Sequence, residues 1–589
     1  MKDKFLSYIL VIVTSSLLIV SCVQKEDSRT PSDIVKAVAD KILRETVFEF
    51  KQVIHKPRLN MQMLDYKNGY GFAGNGVYYS LSNLKCAGDT TLTFGTGYSG
   101  VVKIWVNGSP VFEGSNDEPV EVKEIAYGLF EFPDTFDVNV KKGLNEILIK
   151  LVSLNEYPKV YLREITEEQE APHSAEFVLE NSSEEFELKW MSIGTFPQLT
   201  NVEESAAFKY PPEEKFKDYY EFDGEIYAWN GGRKNILCEL VIKPDNSYQR
   251  ESYLEWHYAN GTVMSGMLAV ADKVGGNEYK KFVNKFCDFT IENYDYFEWQ
   301  YKTLNALRGT NHRIYRKSML DDTGSPALPF VQLYMEKENE SYKKIIDEMF
   351  NYVVNGQVRL DDGTLCRPEP VEMTVWADDL FMSVPFLIRM AKITGDEKYY
   401  DDAALQVVKF YDLLFDEEAG LNKHGWFDNK KERSIAFWGR ANGWMIWATS
   451  EALLNLPHNH PSYSKILELF EAHIEGVAKY QAESGLWHQV LDHPESFEET
   501  SCTSMYLLGM IRGVQNGWLD GSFKDNIEKA WKGLKTKIKD DGTVIDICRG
   551  TGIGYDLEFY YNRKRFDNDP RGLGAVLTAV AEMHTFENN

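Results

Sequence analysis

Residues 376–382 read Trp-Ala-Asp-Asp-Leu-Phe-Met, and they stand at the start of a long segment with helical apolar periodicity rather than inside it. Residues 438–444, Trp-Gly-Arg-Ala-Asn-Gly-Trp, and residues 567–574, Asp-Asn-Asp-Pro-Arg-Gly-Leu-Gly, have the same placement. If alternate helices of a toroid carry such residues at their N-terminal ends, the residues converge on one rim. Helix N-termini also favour anionic ligands, because their first N–H groups are free and the dipole is positive there. These stretches therefore predict a binding site on one rim.

Helical periodicity continues from about residue 251 to the end of the chain and is divided by an internal repeat. A polar turn followed by an aromatic residue recurs at intervals of 57 to 64 residues, at Tyr279, Tyr342, Tyr399, Tyr463 and Phe523. Each interval holds one helical hairpin. The predicted helices are 257–274, 276–295, 323–338, 340–355, 377–394, 396–415, 440–456, 461–482, 500–515, 521–537 and 570–586.

A toroid of six hairpins needs one helix more than these eleven. We predict the missing helix at 31–47, where Thr30 and Ser32 are capping candidates and Pro31 suits the first turn. Between the two helical parts, from about residue 60 to 245, short alternating runs with turn signals such as Asn107-Gly108 are typical of an antiparallel β-sandwich.

The predicted fold is therefore mainly α: a six-hairpin (α/α)6 toroid with an inserted antiparallel β-sandwich. Residues 31–50 supply the first toroid helix, 51–250 the inserted sandwich, and 251–589 the remainder of the toroid. The alternative is a separate N-terminal domain whose leading helix caps the sandwich.

The first residues have the features of an export signal. Lys2 and Lys4 flank an apolar run from Phe5 to Val20 that is too short and wrongly flanked for a stable membrane span. The run ends in Ile-Val-Ser-Cys22, which resembles a bacterial lipobox, in which residues 1–21 are removed and Cys22 is lipidated. A signal cut elsewhere, with Cys22 an ordinary residue, is the alternative. We therefore expect an exported lipoprotein of the outer membrane, attached to the membrane only through the lipid on Cys22.

Charge and cysteine usage limit the possible partners. The formal net charge of −26 argues against nucleic acid, although a small anion could still bind a local basic pocket. The other six cysteines are scattered without CxxC spacing, and the histidines form no HExxH motif. The sequence therefore predicts no metal site, no cofactor and no disulfide framework.

The loops that precede the equivalent helices hold the candidate site residues. A set of aromatic planes with a few carboxylates and an arginine suits a sugar, because a pyranose ring has apolar faces and a polar edge. The set comprises His257, Asp321, Asp322, Trp376, Asp378, His424, Trp438, Arg440, Trp487, His488, Asp569 and Arg571.

Each of these residues also has an ordinary structural explanation. An Asp at a helix start is most often an N-cap, and a tryptophan or histidine is often part of the core. Arg440 in a first helical turn opposes the dipole, so it needs a compensating anion, either an internal acid or a ligand carboxylate.

Several ordered motifs resemble glycoside hydrolase family 105, the unsaturated rhamnogalacturonyl hydrolases, and the related family 88 of unsaturated glucuronyl hydrolases. They are Trp376-x-Asp378-x-Leu-Phe-Met, His424-Gly-Trp, Trp438-x-Arg440-x-x-Gly-Trp444, Glu499-Thr-Ser-x-Thr-x-Met505 and Asn568-Asp-Pro-x-Gly-Leu-Gly574. The resemblance covers about 31–50 and 251–589 and leaves out the sandwich.

This resemblance implies hydrolysis of a 4,5-unsaturated uronic acid by hydration of its enol ether. It implies that Asp378 is the acid/base and that Asp321 is the second catalytic aspartate, with Asp322 as its rival. A small anionic oligosaccharide is the expected partner, without nucleic acid or cofactor. The predicted substrate-binding residues are Asp322, Trp376, His424, Trp438, Arg440, Trp444, Trp487 and His488.

Two other functions stay open at this point. One is a polysaccharide lyase on the same toroid, which would use a Tyr or His base on a polymer. The other is a surface lipoprotein that binds glycans without catalysis.

Overall fold

The computed structural model describes residues 27–54, 61–120, 123–124, 130–153, 155–166, 174–179, 189–197, 217–232, 238–243, 252–303, 306, 308–368, 370–371 and 373–588. The predicted signal segment and Cys22 lie outside the described residues. None of the described helices has the length and apolar character needed to cross a bilayer.

The described residues form fifteen α-helices. They are α1 (Pro31–Glu45), α2 (Tyr258–Lys273), α3 (Asn277–Glu292), α4 (Tyr294–Thr303), α5 (His312–Arg316), α6 (Gly324–Glu336), α7 (Glu340–Asn351), α8 (Asp379–Thr394), α9 (Lys398–Leu414), α10 (Gly439–Asn455), α11 (Tyr463–Ala478), α12 (Thr500–Gln515), α13 (Lys524–Thr536), α14 (Leu557–Tyr561) and α15 (Pro570–Asn588). The twelve predicted helices are confirmed within a few residues at most ends. The short helices α4, α5 and α14 were not predicted.

Six of these helices form a closed inner ring. In the order α2, α6, α8, α10, α12 and α15, each helix packs against the next, and α15 packs back on α2. The helices α3, α7, α9, α11 and α13 pack outside the inner helices that precede them. The N-terminal ends of the inner helices therefore meet at one end of the ring, which we call the rim.

Helix α1 completes the outer layer. It begins with a capping box in which the Thr30 side chain accepts from the Asp33 N–H and the Asp33 carboxylate accepts from the Thr30 N–H. Its buried face packs mainly against α15, and Ile34, Val35 and Val38 belong to the same apolar core as the other toroid helices.

Small residues let the inner helices approach closely. A Cβ atom at Gly574 would lie 2.5 Å from the main chain of Thr262, and one at Gly261 would lie 2.2 Å from the Ser325 carbonyl oxygen. Gly574 is thus required by helix packing, whatever the role of the charged residues beside it.

Between α1 and α2 the chain forms β-structure. Its strands are β1 (Phe50–Ile54), β2 (Gln62–Asp65), β3 (Gly76–Cys86), β4 (Thr90–Tyr98), β5 (Gly100–Val106), β6 (Ser109–Asn116), β7 (Lys123–Glu124), β8 (Phe130–Glu131), β9 (Asp134–Val140), β10 (Gly143–Ser153), β11 (Lys159–Glu164), β12 (Ala175–Val178), β13 (Met191–Phe196), β14 (Tyr219–Phe222), β15 (Glu225–Ala228) and β16 (Cys238–Ile242).

Two antiparallel sheets share a core that is separate from the toroid core. One sheet has the order β12-β3-β10-β5-β6, with β13 also paired to β3, and the other has the order β2-β11-β4-β9. Residues from both sheets, such as Ile149 and Phe94, meet in one apolar cluster. At the two ends of this stretch β1 pairs with β16, with Phe50 opposite Ile242, so the chain leaves and re-enters the helical part at neighbouring positions.

Short paired strands occur in the loops of the helical part. They are β17 (Thr374–Trp376), β18 (Phe415–Asp416), β19 (Leu421–Asn422), β20 (Gly425–Phe427), β21 (Glu432–Arg433), β22 (Trp487–His488), β23 (Glu498–Glu499), β24 (Ile547–Cys548) and β25 (Arg565–Phe566). The pairing of β17 with β20 brings two of the motifs side by side.

Candidate active site

Asp378 lies at the N-terminal end of α8 without serving as its cap. Its backbone is already helical, and its side chain makes no capping hydrogen bond. About 15% of the side chain is exposed, although one carboxylate oxygen, Oδ2, is buried. The ordinary explanation, an N-cap aspartate, therefore does not account for this residue.

His424 faces Asp378 across the β17–β20 pair. Its Nε2 lies 3.3 Å from Asp378 Oδ2, and the ring is completely buried. The two atoms are not aligned as a hydrogen bond, and neither has another hydrogen-bond partner among the described residues. The Ala377 N–H donates to the His424 carbonyl oxygen, which holds the two chain segments together.

Two tryptophans enclose this histidine. The ring centroid of Trp438 lies 4.6 Å from that of His424, and the centroid of Trp376 lies 5.8 Å away in an edge-on orientation. Four predicted site residues, namely Trp376, Asp378, His424 and Trp438, thus lie in one cluster.

Arg367 links the acids of the site, and no sequence motif indicates it. It donates to both oxygens of Asp379, at 2.7 and 2.5 Å, and to Asp321 Oδ1 at 3.2 Å. Its guanidinium also lies over the Trp376 ring, 4.3 Å from the centroid. Arg367 lies in a loop that has no apolar periodicity. The one sequence feature that could have indicated a buried cation nearby is the pair of acids at 378–379, because Asp379 is the partner of Arg367.

Three carboxylates and one guanidinium leave this cluster with surplus negative charge. Burial raises the pKa of Asp321 to about 7, with Arg367 opposing the rise and Asp379 and Asp378 adding to it. Burial likewise raises the pKa of Asp379, against the effect of Arg367. A carboxyl group with a pKa near neutrality can serve as a proton donor, so the cluster is suited to acid catalysis.

The other half of the site is basic. Burial raises the pKa of the half-buried phenol of Tyr258, in the first turn of α2; Arg571 and Arg440 oppose this rise, whereas Asp321 and Asp378 add to it. The phenol is thus within electrostatic range of both acids and both arginines. Tyr258 has no distinguishing sequence pattern, and only its position directly after His257 could have indicated it.

His257 caps α2 and is neutral. Its Nδ1 accepts from the Ala259 N–H at 3.2 Å, and burial, aided by Arg313 and Arg571, lowers its pKa well below the usual value. Since Nδ1 is an acceptor, the proton of the ring is on Nε2.

The structure does not support the expected role of Arg440. The residues left an internal acid or a ligand carboxylate open as its partner, and the resemblance implied substrate binding, but the guanidinium donates to the main-chain carbonyl oxygens of Cys548 and Arg549, at 2.6 and 2.9 Å. Its side chain is 1% exposed, and the nearest Glu499 oxygen lies 4.0 Å away. Carbonyl oxygens thus provide most of the compensation that a cation in a first helical turn requires.

Three other predicted residues belong to the scaffold. Asp322 is fully buried and accepts from both Arg316 nitrogens that face it, at 2.7 to 3.1 Å, so it does not compete with Asp321 for the substrate. Trp487 is fully buried and donates to the Val477 carbonyl oxygen. His488 is bound through Nδ1 to a loop carbonyl, that of Ser496, at 2.6 Å.

Trp444 is buried against Trp447 and Phe381, with its edge towards Tyr258. It therefore supports the wall of the site from behind. Among the described residues, no group of three or more His, Cys, Asp or Glu side chains is arranged to hold a metal ion.

Two solved structures share this toroid. A possible member of glycoside hydrolase family 105 from Klebsiella pneumoniae superposes with a TM-score of 0.51 at 22% identity, over 57% of this chain and 84% of its own. A family 105 glycoside hydrolase from C. acetobutylicum gives a TM-score of 0.50 at 24% identity, over 56% of this chain and 94% of its own. At such low identity these similarities establish the fold alone, which is that of toroidal glycoside hydrolases.

The family itself follows from the sequence match. The model of Glycosyl Hydrolase Family 88 matches residues 239–587, which is more than half of the chain. The chain therefore belongs to glycosyl hydrolase family 88, and the resemblance drawn from the motifs is confirmed.

Two curated relatives have defined activities. An unsaturated 3S-rhamnoglycuronyl hydrolase from Alteromonas sp. (strain LOR) is 36% identical over 214 residues, 35% of this chain and 50% of that protein. The unsaturated rhamnogalacturonyl hydrolase YesR from Bacillus subtilis (strain 168) is 27% identical over 254 residues, 42% of this chain and 71% of that protein. The chain thus spans about half the length of the first relative.

Proposed function

We propose that this protein is a glycoside hydrolase that removes a 4,5-unsaturated uronic acid from the non-reducing end of oligosaccharides made by polysaccharide lyases. The observation that carries the proposal is the state of Asp378, a partly exposed carboxylate at the rim that does no capping and faces His424. Family membership and the activities named for the two relatives point to the same chemistry.

The reaction is hydration of an enol ether. The acid transfers a proton to C4, water adds to C5 as a hydroxyl group, and the second proton of the water goes to the resulting carboxylate. The C5 hemiketal then opens to a ketone and leaves C1 as a hemiacetal, whose breakdown to an aldehyde releases the neighbouring sugar with its glycosidic oxygen as a free hydroxyl group. One carboxyl group can perform both proton transfers, so the spacing rule for retaining and inverting glycosidases does not apply.

We assign these transfers to Asp378. Asp321 assists it, because a carboxyl group with a pKa of about 7 is partly protonated at neutral pH and can donate a hydrogen bond to the sugar. Trp376 closes the cluster on one side and limits access of bulk water.

The uronate carboxylate is assigned to the basic half of the site. Arg571 stands in the first turn of α15, pairs with Asp569 at 3.2 Å and is 16% exposed, so it can approach a ligand more readily than the 1% exposed Arg440 can. Tyr258 adds a hydroxyl group beside it. We therefore assign the anionic end of the sugar to Arg571 and its double bond to the neighbourhood of Asp378.

The domain organisation and location are also proposals. Residues 31–50 and 251–589 form the catalytic toroid, and residues 51–250 form an inserted β-sandwich; the contact of α1 with α15 and the pairing of β1 with β16 support this division. Joining Phe50 to Glu251 by a short linker should therefore give an active enzyme, whereas loss of α1 as well should expose the apolar face of α15. We further propose export as an outer-membrane lipoprotein anchored through Cys22.

An absorbance assay tests the function. The unsaturated uronide absorbs in the near ultraviolet, so incubation with lyase-made disaccharides ending in rhamnose, of rhamnogalacturonan or ulvan type, should abolish the absorbance. An increase of absorbance on intact polymer would instead identify a lyase. Binding of the disaccharide without any change would identify a glycan-binding protein.

A further inference from the structure

His424 has a second partner, Tyr560, at the end of α14. The Tyr560 hydroxyl lies 2.9 Å from His424 Nδ1 and is fully buried with it. The same hydroxyl oxygen accepts a hydrogen bond from the Gly554 N–H at 3.0 Å. The loop that carries Gly554 also lies against the site, since a Cβ atom at Gly552 would be 3.6 Å from the Trp376 ring.

These contacts determine where the histidine carries its proton. A phenol has one proton, and the oxygen of Tyr560 already accepts from Gly554, so its proton is free to be donated to Nδ1. If Nδ1 instead carried a proton, the phenol proton would face another donor and stay unpaired in the core. An unpaired buried donor loses its hydrogen bonds to water without replacement, which disfavours that arrangement.

The state of the phenol agrees with this direction of donation. Burial raises the pKa of Tyr560, and Asp378 adds to the rise, so the hydroxyl keeps its proton at neutral pH. The rings that flank His424, those of Trp376 and Trp438, are uncharged and do not favour either nitrogen. The histidine therefore accepts at Nδ1 and carries its proton on Nε2, the atom that faces Asp378 Oδ2 at 3.3 Å.

We propose that Tyr560 is a positioning residue for the acid/base: it fixes His424 as the Nε2–H tautomer, whose proton faces Asp378 Oδ2 and leaves the other carboxylate oxygen to exchange a proton with the sugar. Two hydrogen bonds, from Gly554 N–H to Tyr560 and from Tyr560 O–H to His424, thus lead to the 3.3 Å contact between His424 Nε2 and Asp378 Oδ2. This inference rests on the proposed function only for its consequence on the rate, because the tautomer itself is a property of the free protein.

The matched variants are Tyr560→Phe and Tyr561→Phe. Tyr561 is the next residue along the chain, and its hydroxyl donates to the exposed Glu495 at 3.0 Å, outside the site. We expect Tyr560→Phe to lower kcat about tenfold with KM changed less than twofold, and Tyr561→Phe to match the wild type in both. Unchanged kcat in Tyr560→Phe, or equal losses in both variants, would overturn the proposal.

Nitrogen-15 NMR of the histidine rings tests the tautomer without any substrate. The His424 signal is assigned by its loss in His424→Gln. In the wild type we expect an unprotonated Nδ1 and a protonated Nε2, and in Tyr560→Phe a shift towards the other tautomer. A protonated Nδ1 in the wild type would contradict the proposal even if turnover were found. Because this measurement needs no substrate turnover, it separates failure of the tautomer assignment from failure of the proposed function.

Discussion

At the C-terminal halves of five inner helices, charged side chains form a continuous chain of ion pairs, whereas in the acidic cluster at the rim three carboxylates lie near one guanidinium. The chain runs from Lys273 to Glu582 at 3.2 Å, from Glu582 to Arg512 at 3.4 Å, and from Arg512 through Glu451 to Arg389, both at 2.9 Å. In that cluster Arg367 donates to Asp379 and Asp321, and Asp378 lies within electrostatic range of both acids.

The pKa values express this difference. Burial acts to raise the pKa of Glu451, but Arg389 and Arg512 outweigh it and lower the pKa to about 2. Burial at the rim prevails over Arg367 and raises the pKa of Asp321 to about 7. At the C-terminal halves of the inner helices, the ion pairs stabilise the ring. At the rim, the acids have raised pKa values, which suits them to donate protons but lowers the stability of the fold.

The largest effect on folding should follow from Glu451→Gln. Breaking a buried ion pair by removing one partner costs roughly 3–5 kcal/mol, because Arg389 and Arg512 lose the shared carboxylate. Thermal unfolding should show a clear fall in Tm at pH 7, with unchanged KM where the variant is still folded.

The pH dependence of that loss has a defined sign. The folded pKa of Glu451 lies below its unfolded value, so the stabilisation is complete above pH 4.5 and is lost as the pH falls towards 2. The Tm difference between the wild type and Glu451→Gln should therefore shrink in acid. A difference that grows on acidification would contradict the assignment.

A smaller loss is expected for Arg440→Gln. The substitution leaves the carbonyl oxygens of Cys548 and Arg549 with poorer partners, at about 1–3 kcal/mol. Tm should fall by a few degrees while KM stays within about twofold. A large rise in KM with an unchanged Tm would show instead that Arg440 binds the substrate.

The smallest effect, and one of opposite direction, is expected for the stability of Asp321→Asn. Because the folded pKa of Asp321 is raised, the wild type loses stability as the pH rises from about 4 to about 7, whereas the neutral asparagine does not. The variant should melt a few degrees higher than the wild type at pH 8 and at nearly the same temperature at pH 4. Equal melting temperatures at both pH values would show that Asp321 carries no such strain.

The same contrast separates what the sequence could predict from what it could not. The inner helices were predictable because each has a long apolar period and because the aromatic repeat from Tyr279 to Phe523 sets their spacing. Asp378 was predictable as a candidate site residue because Asp378 and Asp379 are adjacent at the helix start, and one aspartate is enough to cap a helix. These signals are local, so they survive in the sequence alone.

The partners of the site residues were not predictable, because they come from loops without periodicity. His424 and Tyr560 are separated by 136 positions, and nothing in either segment indicates that they meet. The positive charge of Arg440 in a first helical turn needs a compensating partner. That partner is a pair of backbone carbonyl groups, and since every residue has one, the sequence cannot indicate which are used. Arg367 and Tyr258 were missed for the same reason: their role depends on what the fold places beside them.

The most direct test of the account is to measure kcat and Tm together for Asp378→Asn and Glu451→Gln on a lyase-made unsaturated disaccharide. The asparagine keeps the shape of Asp378 but cannot donate the proton, and general acid–base catalysis supplies about 10²–10⁴-fold. We predict that Asp378→Asn loses at least about a hundredfold in kcat with Tm unchanged, and that Glu451→Gln loses Tm with kcat retained below its transition. If Asp378→Asn kept more than about a tenth of the wild-type rate, or lost its activity only through unfolding, the division of the toroid into a catalytic rim and a stabilising opposite end would be wrong.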